Sequence, residues 1–237
     1  MASHCVAVIP CLNEAGTVAA VVRGVLEYLP AVIVVDDGSD DETGVRAEAA
    51  GAEVLRHPVN RGKGAALQTG WAHARERGFQ WALTLDGDGQ HDPTDVPTLL
   101  ACAGQTGATL IVGNRMGEAG AMPPLRRWVN RWMTARLSDL TGVRLLDSQC
   151  GFRLVHLPAL GQVHVTADRF EIESELLLRW LAAGRQVAFA PVRVIYSPQA
   201  SKIHPLADSW RWWRWWSRQR RACAPATQCD CRSRATP

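Results

Sequence analysis

The sequence lacks long hydrophobic runs. No stretch of its 237 residues reaches the roughly 18 uninterrupted apolar residues that a membrane-spanning helix needs. It also lacks a basic N-terminal region followed by a long apolar region, so we expect no signal peptide, and it has no internal repeat. Apolar residues nevertheless make up 47% of the chain, which excludes wholesale disorder and allows one sizeable core with an appended arm.

Cysteines in a metal-binding pattern are lacking as well. Three of the seven cysteines lie near the C-terminus with no histidine close by, which makes a poor zinc motif: Cys223, Cys229 and Cys231. The other four stand singly in or beside apolar segments and are predicted to be buried thiols: Cys5, Cys11, Cys102 and Cys150. We therefore expect a reducing, cytoplasmic location.

Positive charge is concentrated at the C-terminal end. The net charge is only +3, yet eight basic and two acidic side chains follow residue 200, together with five of the ten tryptophans. Tryptophan next to arginine is typical of a membrane interface, so residues 201–221 are predicted to bind a membrane surface. A helix packed on the domain through its tryptophans is the alternative. Nothing else in the chain favours nucleic acid as a partner, and residues 222–237 are expected to be disordered.

Short apolar runs alternate with segments of helical periodicity in the first third of the chain. The runs are 4–10, 31–35, 51–55 and 81–85, and the helical segments are 17–29, 40–51 and 64–78. This alternation predicts an α/β fold with a doubly wound, mostly parallel sheet, which we place in residues 1–200. Polar clusters follow three of the strands, at Pro10–Glu14, Asp36–Ser39 and Asp86–His91, and such sheets bind ligands at the carboxyl ends of their strands.

The third cluster carries the clearest chemistry. Asp86 and Asp88 are two positions apart where a strand ends, so both side chains are predicted to reach one cation. Oxygen ligands of this kind suit Mg²⁺ or Mn²⁺. A solvated loop rich in aspartate and glycine is the alternative interpretation.

Seven motifs together resemble the inverting family 2 glycosyltransferases, in the branch of the dolichyl- and polyprenyl-phosphate sugar synthases. They span about residue 6 to about residue 210 and comprise 8–14, 34–39, 60–64, 85–91, 113–115, 147–153 and 170–176. The resemblance implies a glycosyltransferase A-type fold, which is a Rossmann-like nucleotide-sugar fold, and a nucleoside-diphosphate sugar as donor. It also implies a Mg²⁺ or Mn²⁺ cofactor.

The resemblance also assigns roles to individual residues. Donor binding is expected from Pro10, Leu12, Asn13, Glu14, Asp37, Lys63, Asp86, Gly87 and Arg115. The metal ligands are expected to be Asp86, Asp88 and Gln90, with His91 close to the metal. The carboxylates expected to act in catalysis are Asp86, Asp88, Asp147, Glu171 and Glu173, the last three as a base or in positioning. A helix cap or a salt bridge is the alternative role for those three.

The acceptor is expected to be a polyprenyl phosphate or another membrane-resident molecule. Its phosphate is expected to contact Arg126, Asn130 and Lys202, of which the first two lie one turn apart on a helix predicted over 123–140. The expected location is the inner face of the cytoplasmic membrane, as a peripheral protein. A glycan, a glycolipid or a small molecule remains an alternative acceptor, and the residues specify neither the sugar, the base nor the oligomeric state.

Two other functional classes fit parts of the pattern. A nucleotidyltransferase would carry a glycine-rich basic loop after the first strand, where this chain has Pro10–Glu14. A non-catalytic membrane-surface binder with the same fold would not need the three predicted metal ligands.

Overall fold

The computed structural model of the chain describes residues 1–117, 122–195 and 205–223. Residues Met1–Ala200 form one compact unit, and the chain from Ser201 onward forms a second. The first unit contains a seven-stranded sheet in the order β3-β2-β1-β4-β6-β5-β7. Its strands are β1 (Cys5–Cys11), β2 (Val32–Asp36), β3 (Glu53–Arg56), β4 (Trp81–Thr84), β5 (Leu110–Asn114), β6 (Arg153–His156) and β7 (Val187–Pro191).

Seven α-helices are described in the first unit and one in the second. Those of the first unit are α1 (Val18–Leu26), α2 (Thr43–Ala49), α3 (Lys63–Glu76), α4 (Val96–Thr106), α5 (Pro124–Thr141), α6 (Leu157–Leu160) and α7 (Ile172–Ala182). The second unit contributes α8 (Pro205–Cys223). No helix within the described ranges is both long and apolar enough to cross a membrane. The predicted disordered tail lies outside the described residues, except for its first two residues, which belong to α8.

The sheet confirms the predicted α/β class and is mostly parallel. Of the seven described strands, β6 alone runs antiparallel to its neighbours, β4 and β5. Strands β1 and β2 consist almost wholly of buried residues, as expected for the centre of a sheet covered on both faces. The register pairs Cys11 with Asp36, so the polar segments that follow β1 and β2 begin side by side.

Close packing of α3 against the sheet depends on a glycine. A Cβ at Gly70 would overlap Val8 Cγ1 of β1 and lie 3.2 Å from Val35 Cγ2 of β2. Because no side chain intervenes, the helix axis approaches the strands closely, and Lys63 at the start of α3 is held near the strand ends.

Two predicted boundaries were wrong in ways that matter for the site. Helix α2 begins at Thr43 rather than at Asp40, because the Asp41 carboxylate accepts hydrogen bonds from the Thr43 amide and hydroxyl and holds the preceding residues in a turn. Strand β4 ends at Thr84, so Asp86 and Asp88 belong to the following loop rather than to a strand end. Strand alternation therefore does not explain why these two carboxylates lie close together.

Candidate functional site

A tight loop after β4 carries the acidic motif. The Thr17 hydroxyl donates a 2.7 Å hydrogen bond to the carbonyl of Gly87. A Cβ at Gly87 would overlap Cys11 Sγ at the end of β1, so only glycine allows this approach. Gly89 has a φ of 73°, in the left-handed region that favours glycine. This turn, not the strand, brings the two aspartates together.

Lys63 joins this loop to the start of α7. Its Nζ lies 2.6 Å from Asp86 Oδ1 and 2.6 Å from Glu173 Oε1. Burial alone would lower the pKa of Lys63, but the two facing carboxylates outweigh it and raise that pKa above its ordinary value. Burial likewise opposes ionisation of Asp86, yet Lys63 and His91 hold the pKa of this carboxyl below its usual range.

Asp88 and Gln90 form the outer part of the loop. The Asp88 carboxylate accepts hydrogen bonds from the Gln90 backbone amide at 2.9 Å and from its side-chain amide at 2.7 Å. Burial and the negative charge of nearby Asp86 raise the pKa of Asp88. A bound cation would relieve this repulsion.

The donor set of the loop fits a hard divalent cation. No group of three His, Cys, Asp or Glu side chains suited to a metal occurs among residues 1–117, 122–195 and 205–223. The third predicted donor is instead the amide oxygen of Gln90, which here faces Arg126 Nη1 while the amide nitrogen faces Asp88, so this side chain would have to turn to bring its oxygen to a cation. Two carboxylates and an amide oxygen are donors that Mg²⁺ and Mn²⁺ accept, with water completing the coordination.

His91 lies behind the loop. It is buried, its Nε2 is 3.7 Å from Asp86 Oδ2, and its ring centroid is 5.2 Å from that of Phe152. Its Nδ1 has no hydrogen-bond partner among the described residues. His91 therefore lies next to Asp86, one of the predicted metal ligands.

Arg115 and Asp147 form a buried, bidentate ion pair. The Arg115 Nε and Nη2 donate to the two carboxylate oxygens of Asp147 at 2.8 and 3.0 Å. Although burial opposes ionisation, the guanidinium holds the pKa of Asp147 below its ordinary value. A carboxylate in this state is a weak proton acceptor, so the geometry favours the salt-bridge alternative over a catalytic base.

Asp37 fastens the chain segment that leads into α3. Its carboxylate lies 2.6 Å from His57 Nδ1 and accepts hydrogen bonds from the backbone amides of Arg61 at 3.0 Å and Gly62 at 2.7 Å. The other ring nitrogen of His57 lies 3.0 Å from Thr69 Oγ1 on α3. His57 was not among the predicted site residues, although it follows directly after β3, at the same edge as the other polar clusters.

A second loop lies across the start of α3. The Asp168 carbonyl accepts a 3.1 Å hydrogen bond from the Ala65 amide, and a Cβ at Gly64 would overlap the carbonyl oxygen of Ala167. Glu175, which was also not among the predicted site residues, holds this loop by accepting hydrogen bonds from the amides of residues 166 and 167 at 3.0 and 2.6 Å. The loop ends at Phe170, whose ring centroid is 5.9 Å from Lys63 Nζ.

The Pro10–Glu14 segment is joined to the segment that follows β2. The Asn13 amide donates to Ser39 Oγ at 2.9 Å, and Asn13 Oδ1 accepts from the Asp40 amide at 2.8 Å. Asn13 has a φ of 53°, a conformation that asparagine tolerates better than most residues. Pro10, Leu12 and Glu14 are partly buried on the same segment, so the structure brings the predicted donor residues after β1 and β2 together.

The predicted acceptor residues are only partly brought together. Arg126 Nη1 lies 3.4 Å from Gln90 Oε1, which places it beside the acidic loop. Asn130 is buried, and its Nδ2 lies 3.9 Å from Met122 Sδ. Lys202 lies outside the described residues. Glu171 is the partly buried N-cap residue of α7, and its side chain makes no capping hydrogen bond.

Comparisons with known proteins identify the family. The family model described as glycosyl transferase family 2 matches residues 6–162. Glycosyltransferase AglJ of Haloferax volcanii is 31% identical over 206 residues, which cover 84% of this chain and 66% of that protein. The undecaprenyl-phosphate mannosyltransferase of Micrococcus luteus is 26% identical over 201 residues, 79% of this chain and 82% of that protein.

A solved structure shares the fold. The crystal structure of glucosyl-3-phosphoglycerate synthase from Mycobacterium tuberculosis in complex with Mn²⁺ and UDP-glucose matches with a TM-score of 0.72. The match covers 94% of this chain and 80% of that one at 22% sequence identity, so it shows a common fold.

Proposed function

The chain belongs to glycosyl transferase family 2 and is a glycosyltransferase, and we propose that it transfers a sugar from a nucleoside-diphosphate sugar to a polyprenyl phosphate or another membrane-associated acceptor. The supporting observation is the charge state of the site. Two of the carboxylates named as base candidates, Asp147 and Glu173, are each paired with a cation. A hydroxyl acceptor needs a base to remove its proton, whereas an acceptor phosphate is already ionised near neutral pH.

The donor would bind along the ends of β1, β2 and β4. Asp86, Asp88 and Gln90 would hold Mg²⁺ or Mn²⁺, which neutralises charge on the leaving nucleoside diphosphate. The Mycobacterium tuberculosis neighbour was crystallised with Mn²⁺ and UDP-glucose, which supports the use of a divalent ion and a nucleotide sugar. Residues Pro10–Glu14 and Asp37 would contact the base and ribose. The acceptor oxygen would displace the diphosphate directly from the anomeric carbon, with inversion.

The acceptor would approach from the side of α5. Arg126 contacts the acidic loop through Gln90, so a phosphate bound there would lie beside the donor site. On the same helix, Leu125 and Trp128 are 70% and 65% exposed, and residues three apart share one face. An exposed apolar pair next to arginines is typical of a lipid headgroup layer and supports peripheral binding at the inner face of the cytoplasmic membrane.

The enzymatic proposal is tested with radiolabelled nucleotide sugars, polyprenyl phosphate and Mn²⁺. The label should move into an organic-extractable, mild-acid-labile product, and a chelator should abolish transfer. Asp88→Asn should abolish it too while the protein remains folded. Asp92→Asn is the matched control, because Asp92 lies nearby but binds Thr94 and Arg193 instead. Label only in water-soluble product would favour a glycan or small-molecule acceptor, and full transfer by Asp88→Asn in chelator would refute the metal assignment.

Membrane association is tested by sedimentation with vesicles that contain anionic lipid. Residues 201–221 and the exposed pair on α5 should together retain the chain on vesicles, with binding that weakens at high salt but does not vanish, because salt does not screen the apolar contribution. Trp128→Ser should reduce retention without changing nucleotide binding. If the full chain does not sediment with vesicles at low salt, the membrane-surface proposal is wrong.

A further inference from the structure

A cation already faces one of the carboxylates that would hold the divalent ion. Lys63 Nζ is 2.6 Å from Asp86 Oδ1, and the 2.6 Å contact with Glu173 Oε1 fixes it from the other side. The Lys63 side chain is only 14% exposed, so this is a held contact rather than a mobile surface pair. With so little solvent around Lys63, the attraction between the charges is screened less than at the surface, and an ammonium group left without a carboxylate here would be costly.

The position of Lys63 has no benefit for its own helix. It is the first residue of α3, where the helix dipole is positive and disfavours a cation. The chain also leaves room for the pair: a Cβ at Gly151 would lie 3.0 Å from Lys63 Nζ and 3.0 Å from Asp86 Oδ2. The two carboxylates must therefore outweigh an unfavourable local environment, which points to a role within the site.

We propose that Lys63 is an internal counter-ion that competes with the divalent ion for Asp86. The inference rests on the proposed function, in which Asp86 is a metal ligand. An ammonium group and a dication on the same carboxylate repel one another, so metal binding requires Lys63 to give up part of its contact with Asp86. Glu173 acts as a positioning residue because it offers the ammonium group a second partner and so eases this exchange.

The test is a titration of the full chain with Mn²⁺ in the absence of nucleotide, followed through the electron paramagnetic resonance signal of free Mn²⁺. Lys63→Met removes the competitor and should tighten Mn²⁺ binding by about tenfold or more, which corresponds to about 1.4 kcal/mol. Lys63→Arg keeps the charge and should bind Mn²⁺ much as the native chain does. Arg77→Met is the matched control, since it removes a cation paired with the remote Glu53 and should change the affinity little.

Glu173→Gln gives the opposite sign and guards against a misfolded Lys63→Met. Without the Glu173 charge, the ammonium group keeps only Asp86 of these two carboxylates and should hold it more tightly. Mn²⁺ binding should therefore weaken severalfold. In the Lys63→Met background the same change should have a much smaller effect. The melting temperature of Lys63→Met should also rise more on addition of Mn²⁺ than that of the native chain, because the metal replaces the lost cation.

The outcomes separate this inference from the proposed function. If the native chain binds Mn²⁺ and Asp88→Asn does not, the metal site stands. Unchanged or weaker binding by a folded Lys63→Met then overturns only the competition. If neither the native chain nor Lys63→Met binds Mn²⁺ without nucleotide, the competition is also overturned, because removing the competitor should have exposed the site. Loss of Mn²⁺ dependence in the transfer reaction would instead count against the proposed function.

Discussion

Replacing Gly64 by alanine should destabilise the protein even though alanine is the better helix former. The new Cβ would overlap the carbonyl oxygen of Ala167 and lie 2.6 Å from the carbonyl carbon of Asp168. These are backbone atoms held by Glu175, so they cannot move aside as a flexible side chain would. Overpacking of this kind costs about 1–3 kcal/mol. Losing the hydrogen bond from the Ala65 amide adds about 0.5–1.5 kcal/mol.

The gain in helix propensity offsets only about 0.5–1 kcal/mol of this cost. The net loss of about 0.5–4 kcal/mol corresponds to a fall in melting temperature of about 1–16 °C for a chain of this size. Donor binding should weaken as well, because residue 64 follows Lys63 directly. Gly104→Ala is the matched control: this glycine also lies within a helix, but no atom of the described residues outside that helix lies within 4 Å of its new Cβ.

Differential scanning calorimetry of both variants provides the test. Gly104→Ala should raise the melting temperature by a few degrees at most, while Gly64→Ala lowers it. Because the chemical change is the same in both variants, shifts of opposite sign would show that the loss of stability comes from the contact between residue 64 and the loop that ends at Phe170. If Gly64→Ala is as stable as the native chain, that loop does not pack against the start of α3. It would then not help to hold Lys63 in place.

Two further predictions concern buried carboxylates. Asp37→Ala should lower the free energy of unfolding by about 3–5 kcal/mol, because the amides of residues 61 and 62 lose their charged acceptor, and trypsin should cleave faster after Arg61. Asp147→Asn should destabilise the chain by about 3–5 kcal/mol at neutral pH by leaving Arg115 buried without its carboxylate. Because folding lowers the pKa of Asp147, its contribution is complete above the unfolded pKa of about 3.9 and is lost as the pH falls further. Urea unfolding from neutral to acidic pH should therefore show the native chain and Asp147→Asn converging in stability at low pH, and a constant difference would contradict this reasoning.

The fold could be predicted from the sequence because its signals are local. The continuous apolar runs of β1 and β2 and the helical spacing of α1 and α3 each identify an element without reference to the rest of the chain. The antiparallel β6 could not be predicted in this way, because strand direction depends on how the chain returns after α5. The start of α2 was misplaced for a local reason that is harder to recognise, namely that Asp41 bonds to Thr43 and keeps the residues before it in a turn.

The site was predicted as a set of residue types but not as a set of pairs. Asp86, Asp88 and Gln90 could be recognised because they lie close together in the sequence, whereas the pairing of Lys63 with Asp86 and Glu173 joins residues more than 20 positions apart. The same holds for Arg115 with Asp147, which are 32 positions apart. Only the folded chain shows that these carboxylates already have cationic partners. The folded chain was therefore needed to weigh the roles of metal ligand, base and structural ion pair for each carboxylate.

The pairing of charges also bears on which acceptor the site suits. Asp86 and Glu173 share one ammonium group, and Asp147 holds a guanidinium, so these three carboxylates enter the reaction already partly neutralised. Such a site repels an incoming anion far less than three unpaired carboxylates would. The donor diphosphate and an acceptor phosphate are both anions, and Arg126 stands beside the loop where they would meet. Neutralising Arg126 should therefore weaken the binding of a phosphate acceptor strongly and the binding of an uncharged acceptor hardly at all. The test compares the KM of Arg126→Gln for polyprenyl phosphate with its KM for the nucleotide sugar. The KM for polyprenyl phosphate should rise more, and an equal change in both would argue against a separate acceptor phosphate site.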